Sequence, residues 1–134
     1  MHLLENPFLE DLGVRLTAWS ANYAEMSLQV TPKLSNRIGR VQGGVLCTLL
    51  DAVCGYAGLY SKGDEPRKQN VSVSLTTNFL NSGVGDQLIA KGWIEYRGNS
   101  IYFAKGEVWL DSTLLVATAV GTFKYLRNKS GEGS

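Results

Sequence analysis

Residues 42–60 read QGGVLCTLLDAVCGYAGLY, and this stretch decides the fold. Its length and apolar character predict one helix from Gly43 to Tyr60, about 25 Å long. The only charged residue between Val45 and Tyr60 is Asp51. Because so apolar a helix must be covered by other elements, we expect the rest of the chain to wrap around it.

Asp51 is the first candidate for a functional side chain. It follows Gly44 by seven residues, so the two would lie about two helical turns apart on roughly the same side. Gly43 and Gly44 open the helix, where backbone N–H groups have no intrahelical acceptor. An unpaired carboxylate is costly to bury. Asp51 is therefore either a catalytic acid in a cleft whose other wall carries free N–H donors, or a structural carboxylate that accepts a hydrogen bond or caps a loop.

Alternating apolar and polar residues after the helix predict a run of antiparallel strands. The strands are expected at 71–80, 86–97, 101–110 and 114–126, with turns at 81–85, 98–99 and 111–112. The upstream elements are expected to be a helical turn at 5–10, hairpin strands at 13–20 and 23–31, and loops at 33–40 and 61–70. One apolar helix followed by such strands predicts a single α+β domain over 1–126, with a curved antiparallel sheet around the helix. The tail at 127–134 is expected to be flexible and to fray.

Length, charge and cysteines narrow the class of protein. The 134 residues suit one domain, and 13 basic against 12 acidic side chains leave a net charge of +1, which argues against nucleic acid as a partner. Cys47 and Cys54 would lie roughly 10 Å apart along the helix, too far for a disulfide, and indicate buried thiols in the reducing cytoplasm. No secretory signal is expected, and the helix is short for a membrane span.

The only histidine is His2, at the chain terminus, and this excludes several kinds of catalytic site. No Ser-His-Asp or Cys-His arrangement is expected, and the two cysteines lack partners for a zinc site. The spacing around Gly43 and Gly44 fits neither a phosphate-binding loop of nucleotide hydrolases nor a dinucleotide-binding motif. No metal site and no separate cofactor are therefore expected.

A series of motifs follows in order along nearly the whole chain. The motifs are Asn36-x-x-Gly39-x-x-Gln42-Gly43-Gly44, Asp51, Val71-Ser72-Val73, Asn78-Phe79-Leu80 and Arg97-Gly98-Asn99-Ser100. As a set they resemble the hotdog-fold acyl-CoA thioesterases of the phenylacetate-degradation, PaaI-like type. No single motif is specific, but their order and spacing are.

The resemblance implies catalytic roles for several side chains. Asp51 matches the helix carboxylate that activates a water or attacks the thioester carbonyl. Gly43 matches the glycine whose backbone N–H holds the carbonyl oxygen as it becomes an oxyanion. Asn36 matches a loop asparagine that helps to place the thioester or the water, and Ser72 matches a strand serine that positions the water.

The resemblance also implies a substrate-binding set and an assembly. The set comprises Gly44, Asn78, Phe79, Arg97, Gly98, Asn99 and Ser100, of which the last four form a turn that touches the coenzyme A nucleotide. Coenzyme A is then part of the substrate, which is an acyl-CoA or an aryl-acyl-CoA. The implied assembly is a homodimer with each active site shared across the interface, and two dimers pairing into a tetramer.

Gln42 departs from the resemblance, because the family has histidine at this position. Glutamine can donate and accept hydrogen bonds but does not titrate near neutral pH. Three function classes follow: an acyl-CoA thioesterase, a non-catalytic acyl-CoA-binding hotdog protein, and a hotdog dehydratase or hydratase. The third class uses a histidine and is nearly excluded here.

Simpler interpretations remain open for other residues. Ser72 alternates with valines and fits the polar face of an ordinary strand, and Gly98-Asn99 is first of all a turn sequence. Loop cations could meet phosphates or be merely solvated: Arg37, Arg40, Lys62, Arg67 and Lys68. Trp19, Trp93 and Trp109 are expected in the core or a subunit interface rather than stacked on a ligand.

Overall fold

The structure, a computed structural model, describes residues 4–127. Its helices are α1 (Pro7–Leu12) and α2 (Gly43–Ala57), with a 3-10 turn at Pro32–Leu34. The strands are β1 (Arg15–Ser20), β2 (Tyr23–Gln29), β3 (Gln69–Phe79), β4 (Gln87–Arg97), β5 (Ile101–Leu110) and β6 (Leu114–Leu126). They form an antiparallel sheet in the order β1-β2-β4-β5-β6-β3, which leaves β3 at one edge.

Helix α2 lies against this sheet and contacts all six of its strands, so the sheet curves around the helix. The two elements approach closely at Gly92 of β4 and Gly106 of β5, which are paired across their strands. A side chain at Gly92 would overlap the Val53 carbonyl group, and one at Gly106 would lie 2.8 Å from the Cys54 Sγ. The predicted α+β layout, a curved antiparallel sheet around one long apolar helix, is confirmed.

The close approach at Gly92 yields a stability prediction. Gly92→Ala is expected to lower the free energy of unfolding by about 3 kcal/mol and Tm by about 10 °C, because the new methyl group meets helix backbone that cannot rotate away. Gly44→Ala is the matched control, since a side chain there meets nothing within 4 Å and alanine favours a helix. Thermal unfolding at equal protomer concentration checks both variants. An unchanged Tm for Gly92→Ala would contradict this packing of α2 on β4.

Helix α2 ends at Ala57, before the predicted end at Tyr60. Side chains from the sheet donate hydrogen bonds to the backbone carbonyl groups at this end of the helix. The bonds run from Tyr102 Oη to Gly55 O at 2.6 Å, from Trp19 Nε1 to Tyr56 O at 2.8 Å, and from Tyr125 Oη to Gly58 O at 2.7 Å. They add to a tight backbone turn at the Gly58 C-cap, in which Gly58 N donates to Gly55 O at 3.1 Å and Leu59 N donates to Tyr56 O at 3.0 Å.

The other boundaries differ slightly from the predictions. Helix α1 begins at Pro7 rather than at residue 5, because Asn6 caps it by accepting from Leu9 N at 3.1 Å. Strand β3 begins at Gln69, inside the predicted loop 61–70, because its pairing with β6 extends to Leu126. Strand β1 begins at Arg15 and β2 ends at Gln29, so both are shorter than predicted, and the predicted loop 33–40 overlaps the 3-10 turn. The predictions for His2 and for the tail beyond Arg127 lie outside the described residues.

A β-bulge in β3 decides which face Ser72 occupies. The register against β6 shifts between Ser72 and Ser74, so regular alternation does not continue through Val73. Ser72 consequently faces α2, on the same side as Phe79, instead of sharing the outer face with Ser74. The interpretation of Ser72 as part of the polar outer face is therefore wrong.

The cysteines differ in their surroundings. Cys54 is buried and Cys47 is half-buried, so the expectation of two buried thiols is correct for Cys54 alone. Burial raises the pKa of Cys54 to about 12, and the charges of Asp51 and Glu95 add to the shift. Cys54 is thus an unreactive thiol at neutral pH. Among the described residues no helix is both long enough and apolar enough to cross a membrane.

The three tryptophans are all half-buried. Trp19 packs against the core, with its ring 5.5 Å from that of Tyr56. Trp93 lies on the outer face of the sheet beside Lys105, and Trp109 donates to Glu107 at 3.0 Å. The core position is thus confirmed for Trp19, and an interface role for the other two stays a prediction.

Candidate active site

The Asp51 carboxylate is oriented by a hydrogen bond from the neighbouring strand. Asp51 lies in the middle of α2 and is half-buried, on the side of the helix that faces β3. Ser72 donates its hydroxyl to Asp51 Oδ1 at 2.7 Å. Within residues 4–127 no donor reaches the other carboxylate oxygen, so this oxygen is available to a water or a substrate.

A cleft of about 220 Å³ opens beside Asp51, between α1 and α2. Phe8 and Leu9 of α1 form one wall, and Ala52 of α2 and Phe123 of β6 contribute to the others. Asp51 is the only charged side chain among the described residues that line it. This arrangement places one carboxylate at the edge of a small cleft that is lined by both polar and apolar side chains.

The N-terminus of α2 presents free backbone donors, as the sequence predicts. Among the described residues, the N–H groups of Gly43 and Gly44 have no hydrogen-bond acceptor, and no side chain caps this end of the helix. Gly44 is exposed and Gly43 lies against the ring of Phe79. Two adjacent donors at the positive end of a helix suit an oxyanion.

The loop before α2 is organised by Asn36. The Asn36 Oδ1 accepts from the N–H groups of Ile38 and Arg40, both at 3.0 Å, and Gly39 turns the chain with φ at +81°. Asn36 therefore builds the loop, and no acceptor within residues 4–127 binds its side-chain nitrogen. Gln42 is exposed at the N-cap, where its backbone N–H donates to Leu34 O at 2.8 Å.

Within one chain, the oxyanion donors and the carboxylate do not line the same cleft. Gly43 and Asp51 are eight residues apart on α2, which separates them by about 12 Å along the axis. A thioester carbonyl needs a donor about 3 Å from its oxygen and a nucleophile about 3 Å from its carbon. The prediction of a single cleft with Asp51 on one wall and the N–H donors on the other is therefore wrong for one chain.

A second cleft, called the basic cleft here, has a volume of about 470 Å³. Its lining includes the turn residues Arg97, Gly98 and Asn99, together with Arg67 and Lys68 from the loop before β3. Lys68 Nζ donates to Tyr60 O at 2.9 Å, and Arg67 forms an ion pair with Glu5. The structure thus brings two of the loop cations to the predicted turn, whereas Arg37, Arg40 and Lys62 lie outside this cleft.

The remaining predicted residues divide between the faces of the sheet. Phe79 points toward the start of α2, so its neighbour Asn78 faces the outer side. Ser100 O accepts from Tyr125 N at 2.7 Å, which ties the turn to β6. Asn78 is therefore separated from the Asp51 cleft by the sheet.

The sequence analysis named only Asp51 and Ser72 among the residues that line this cleft, and Asn70 and Phe8 are among those that it missed. Asn70 donates to Tyr102 Oη at 2.6 Å, and burial raises the pKa of Tyr102 above its ordinary value, so the phenol stays neutral and donates to Gly55 O. The spacing of Asn70 from Ser72, two residues along one strand, could have indicated that both share a face. Phe8 lies on a short helix far from Asp51 in sequence and carries no such signal.

Comparison with known proteins identifies the family of this chain. Residues 38–117 match the thioesterase superfamily. A provisionally named esterase of Pseudomonas aeruginosa, PA0474, is 33% identical over 99 residues, which are 73% of this chain and 72% of that protein. The Escherichia coli protein named medium/long-chain acyl-CoA thioesterase YigI is 22% identical over an alignment covering 92% of this chain and 88% of that protein.

Solved structures show the same fold. The E. coli PaaI protein from the phenylacetic acid degradation operon aligns with a TM-score of 0.80 at 22% identity, covering 92% of this chain and 87% of that one. A thioesterase family protein from Silicibacter pomeroyi aligns with a TM-score of 0.81 at 22% identity, covering 92% and 91%. These likenesses confirm the hotdog fold that the motifs predict.

Proposed function

The chain belongs to the thioesterase superfamily and is a thioester hydrolase, and on this premise we propose that it hydrolyses an acyl-CoA thioester to the free acid and coenzyme A. The observation that carries the proposal is the Asp51 carboxylate, oriented by Ser72 at the edge of a cleft of about 220 Å³. The activity named for YigI supports an acyl-CoA as the substrate class.

The proposed chemistry uses Asp51 and the backbone of Gly43. Asp51 acts either as a general base, taking a proton from a water that attacks the thioester carbon, or as a nucleophile that forms an acyl anhydride which water then opens. In both routes the carbonyl oxygen becomes an oxyanion and accepts a hydrogen bond from Gly43 N–H. Collapse of the tetrahedral intermediate breaks the C–S bond, and the thiolate of coenzyme A leaves and takes up a proton.

Two copies of the chain are proposed to build each site. The separation of Gly43 from Asp51 within one chain supports this, because a second copy can bring its own Gly43 to the Asp51 cleft. Strand β3 supports it as well: it is an uncharged edge strand, and Val71, Val73 and Phe79 are exposed along it. An uncharged, apolar edge favours pairing with another strand. A homodimer, and a tetramer made of two such dimers, are therefore expected by sedimentation.

The basic cleft is proposed to hold the phosphates of coenzyme A. Arg67, Lys68 and Arg97 outnumber Glu65, the acidic residue in its lining, and its volume of about 470 Å³ suits a nucleotide. Lys68 lies in the loop before β3 and Arg97 is the last residue of β4, so the cleft offers cations from two parts of the chain. This assignment agrees with the role that the resemblance implies for the turn at Arg97–Ser100.

A thiol-release assay on acyl-CoA esters tests the proposed function. The panel should contain short, medium, long and aromatic acyl groups, and release of coenzyme A from at least one of them is expected. An oxygen-ester substrate of similar size serves as the control for general esterase activity. Tight binding of acyl-CoA with no thiol release from any ester would contradict the proposal and favour the non-catalytic acyl-CoA-binding protein.

Gln42→His tests how the residue before Gly43 contributes. Gln42 is exposed and its side chain caps nothing, so the substitution is expected to leave the fold intact. We expect kcat to be held or raised by a few-fold, since histidine, like glutamine, can donate a hydrogen bond to a bound substrate. The pH dependence of kcat, compared between the variant and the wild type, is the measurement. A loss of activity on introducing histidine would show that Gln42 has its own role in this site.

A further inference from the structure

Buried groups fix the orientation of the Asn70 side-chain amide. Tyr102 is fully buried, and its phenol donates its only proton to Gly55 O at 2.6 Å, so the phenol oxygen can only accept from other groups. The Asn70 atom beside that oxygen must therefore be the amide nitrogen. Asn70 Nδ2 donates to Tyr102 Oη at 2.6 Å and to Gly55 O at 3.4 Å, and these two bonds use both of its protons.

The side-chain oxygen of Asn70 is left without a partner. Among residues 4–127 no donor reaches Asn70 Oδ1, yet the only buried side-chain nitrogen or oxygen there that lacks a hydrogen bond is Thr31 Oγ1. Asn70 Oδ1 is therefore accessible to solvent, and Asn70 lines the Asp51 cleft. An oxygen held in one orientation at a cleft suits a ligand that brings an N–H or O–H donor.

The Asp51 cleft leads past Asn70 toward the basic cleft. Along α2, Gly55, which Asn70 contacts, lies between Asp51 and Tyr56. A third cleft, of about 410 Å³, shares lining residues with both of the others: Tyr56 and Leu59 with the Asp51 cleft, and Arg67 and Lys68 with the basic cleft. A substrate with its phosphates in the basic cleft and its reacting carbon at Asp51 would therefore carry the chain between them beside Asn70.

The spacing suits the first amide group of the arm that carries the thiol of coenzyme A. The nitrogen of this amide is three bonds from the sulfur, on the order of 4 Å away in an extended arm. Asn70 is two residues from Ser72 on β3, about 6.6 Å along the strand, and Gly55 is about 6 Å from Asp51 along α2. A thioester carbon about 3 Å from the carboxylate thus leaves the amide N–H within reach of Asn70 Oδ1.

We propose that Asn70 is a specificity-determining residue, whose side-chain oxygen accepts a hydrogen bond from the first amide N–H on the thiol side of the substrate. The proposal rests on the proposed acyl-CoA substrate and names the residue by which the site recognises an amide-bearing thiol. A water is the rival occupant, because it also brings donors. A water would serve every thioester alike, whereas the amide N–H belongs to thiols of the coenzyme A type.

The test compares two thioesters of one acyl group on the wild type and on Asn70→Ala. One thioester carries N-acetylcysteamine, which keeps the amide N–H. The other carries 5-mercapto-2-pentanone, in which a methylene group replaces that N–H. We expect the wild type to prefer the first thioester about tenfold in kcat/KM, and Asn70→Ala to lose this preference, because the variant has no oxygen to accept the bond.

The preference is a ratio measured on one protein, so partial unfolding of a variant lowers both rates by the same factor. Asn70→Leu keeps nearly the same side-chain volume and should lose the preference as Asn70→Ala does. Ser74→Ala changes an exposed residue on the outer face of β3 and should keep the preference of the wild type. No preference in the wild type, or a preference that survives in Asn70→Ala, would overturn the proposal.

A binding measurement keeps the test independent of turnover. Asn70→Ala should weaken the affinity for free coenzyme A about tenfold and leave unchanged the affinity for adenosine 3′,5′-bisphosphate, which lacks the arm. Unchanged affinity for coenzyme A, or equal weakening of both ligands, would overturn the proposal. If the wild type hydrolyses no thioester, the proposed function fails, yet this comparison still decides whether Asn70 binds the arm.

Discussion

Asp51→Asn is expected to lower kcat for thioester hydrolysis by at least about a thousandfold, because the amide can neither take a proton from water nor attack a carbonyl carbon. The amide has nearly the same shape as the carboxylate, and its oxygen can still accept the hydrogen bond from Ser72. Since Asp51 is only half-buried, the fold and the binding of acyl-CoA should persist. Thiol release, circular dichroism and equilibrium binding of an acyl-CoA measure the three properties.

Asp86→Asn is the matched control for this variant. It removes the same charge from an exposed residue just before β4, outside the Asp51 cleft. Its activity should equal that of the wild type. Full activity of Asp51→Asn would show that the proposed mechanism is wrong, and unfolding of Asp51→Asn would show that the carboxylate is structural.

Gly43→Pro is expected to lower kcat by about a hundredfold to a thousandfold, because proline has no N–H to donate to the oxyanion. Gly43 is the first residue of α2, where proline is well tolerated. Gln42 has φ −60° and ψ 136°, a conformation that suits a residue before proline. Gly43→Ala keeps the N–H and serves as the control, since its side chain would meet only the exposed Phe79 ring, at 3.4 Å. A Gly43→Pro protein as active as Gly43→Ala would exclude this N–H as the oxyanion donor.

Mixing the Asp51→Asn and Gly43→Pro variants tests whether each active site is shared between two subunits. In a mixed dimer of Asp51→Asn and Gly43→Pro chains, one site carries both defects and the other combines an intact Asp51 with an intact Gly43. With random exchange, half of the dimers are mixed and half of their sites are intact, so about a quarter of wild-type activity should return. If each site lay within one chain, the mixture would stay as inactive as its components.

The sequence by itself determined the main features of the fold. The apolar run at 43–60 has the length of a helix, and the alternation at 101–110 and 114–126 places β5 and β6 at their observed boundaries. These patterns can be recognised locally, because burial of one face of a helix or strand requires apolar residues at a regular spacing along the chain. The glycines at the start of α2 likewise predict a helix N-terminus that no side chain caps.

The tertiary structure alone decided the composition of the site. Ser72 reaches Asp51 only because a bulge in β3 reverses its face, and a bulge depends on the partner strand. At the end of α2, Trp19, Tyr102 and Tyr125 donate to the carbonyl groups of residues 55, 56 and 58 from distant strands. Phe8 reaches the cleft because Leu9 anchors α1 in the core. Such contacts join residues far apart in sequence, and their geometry exists only once the sheet has closed around the helix.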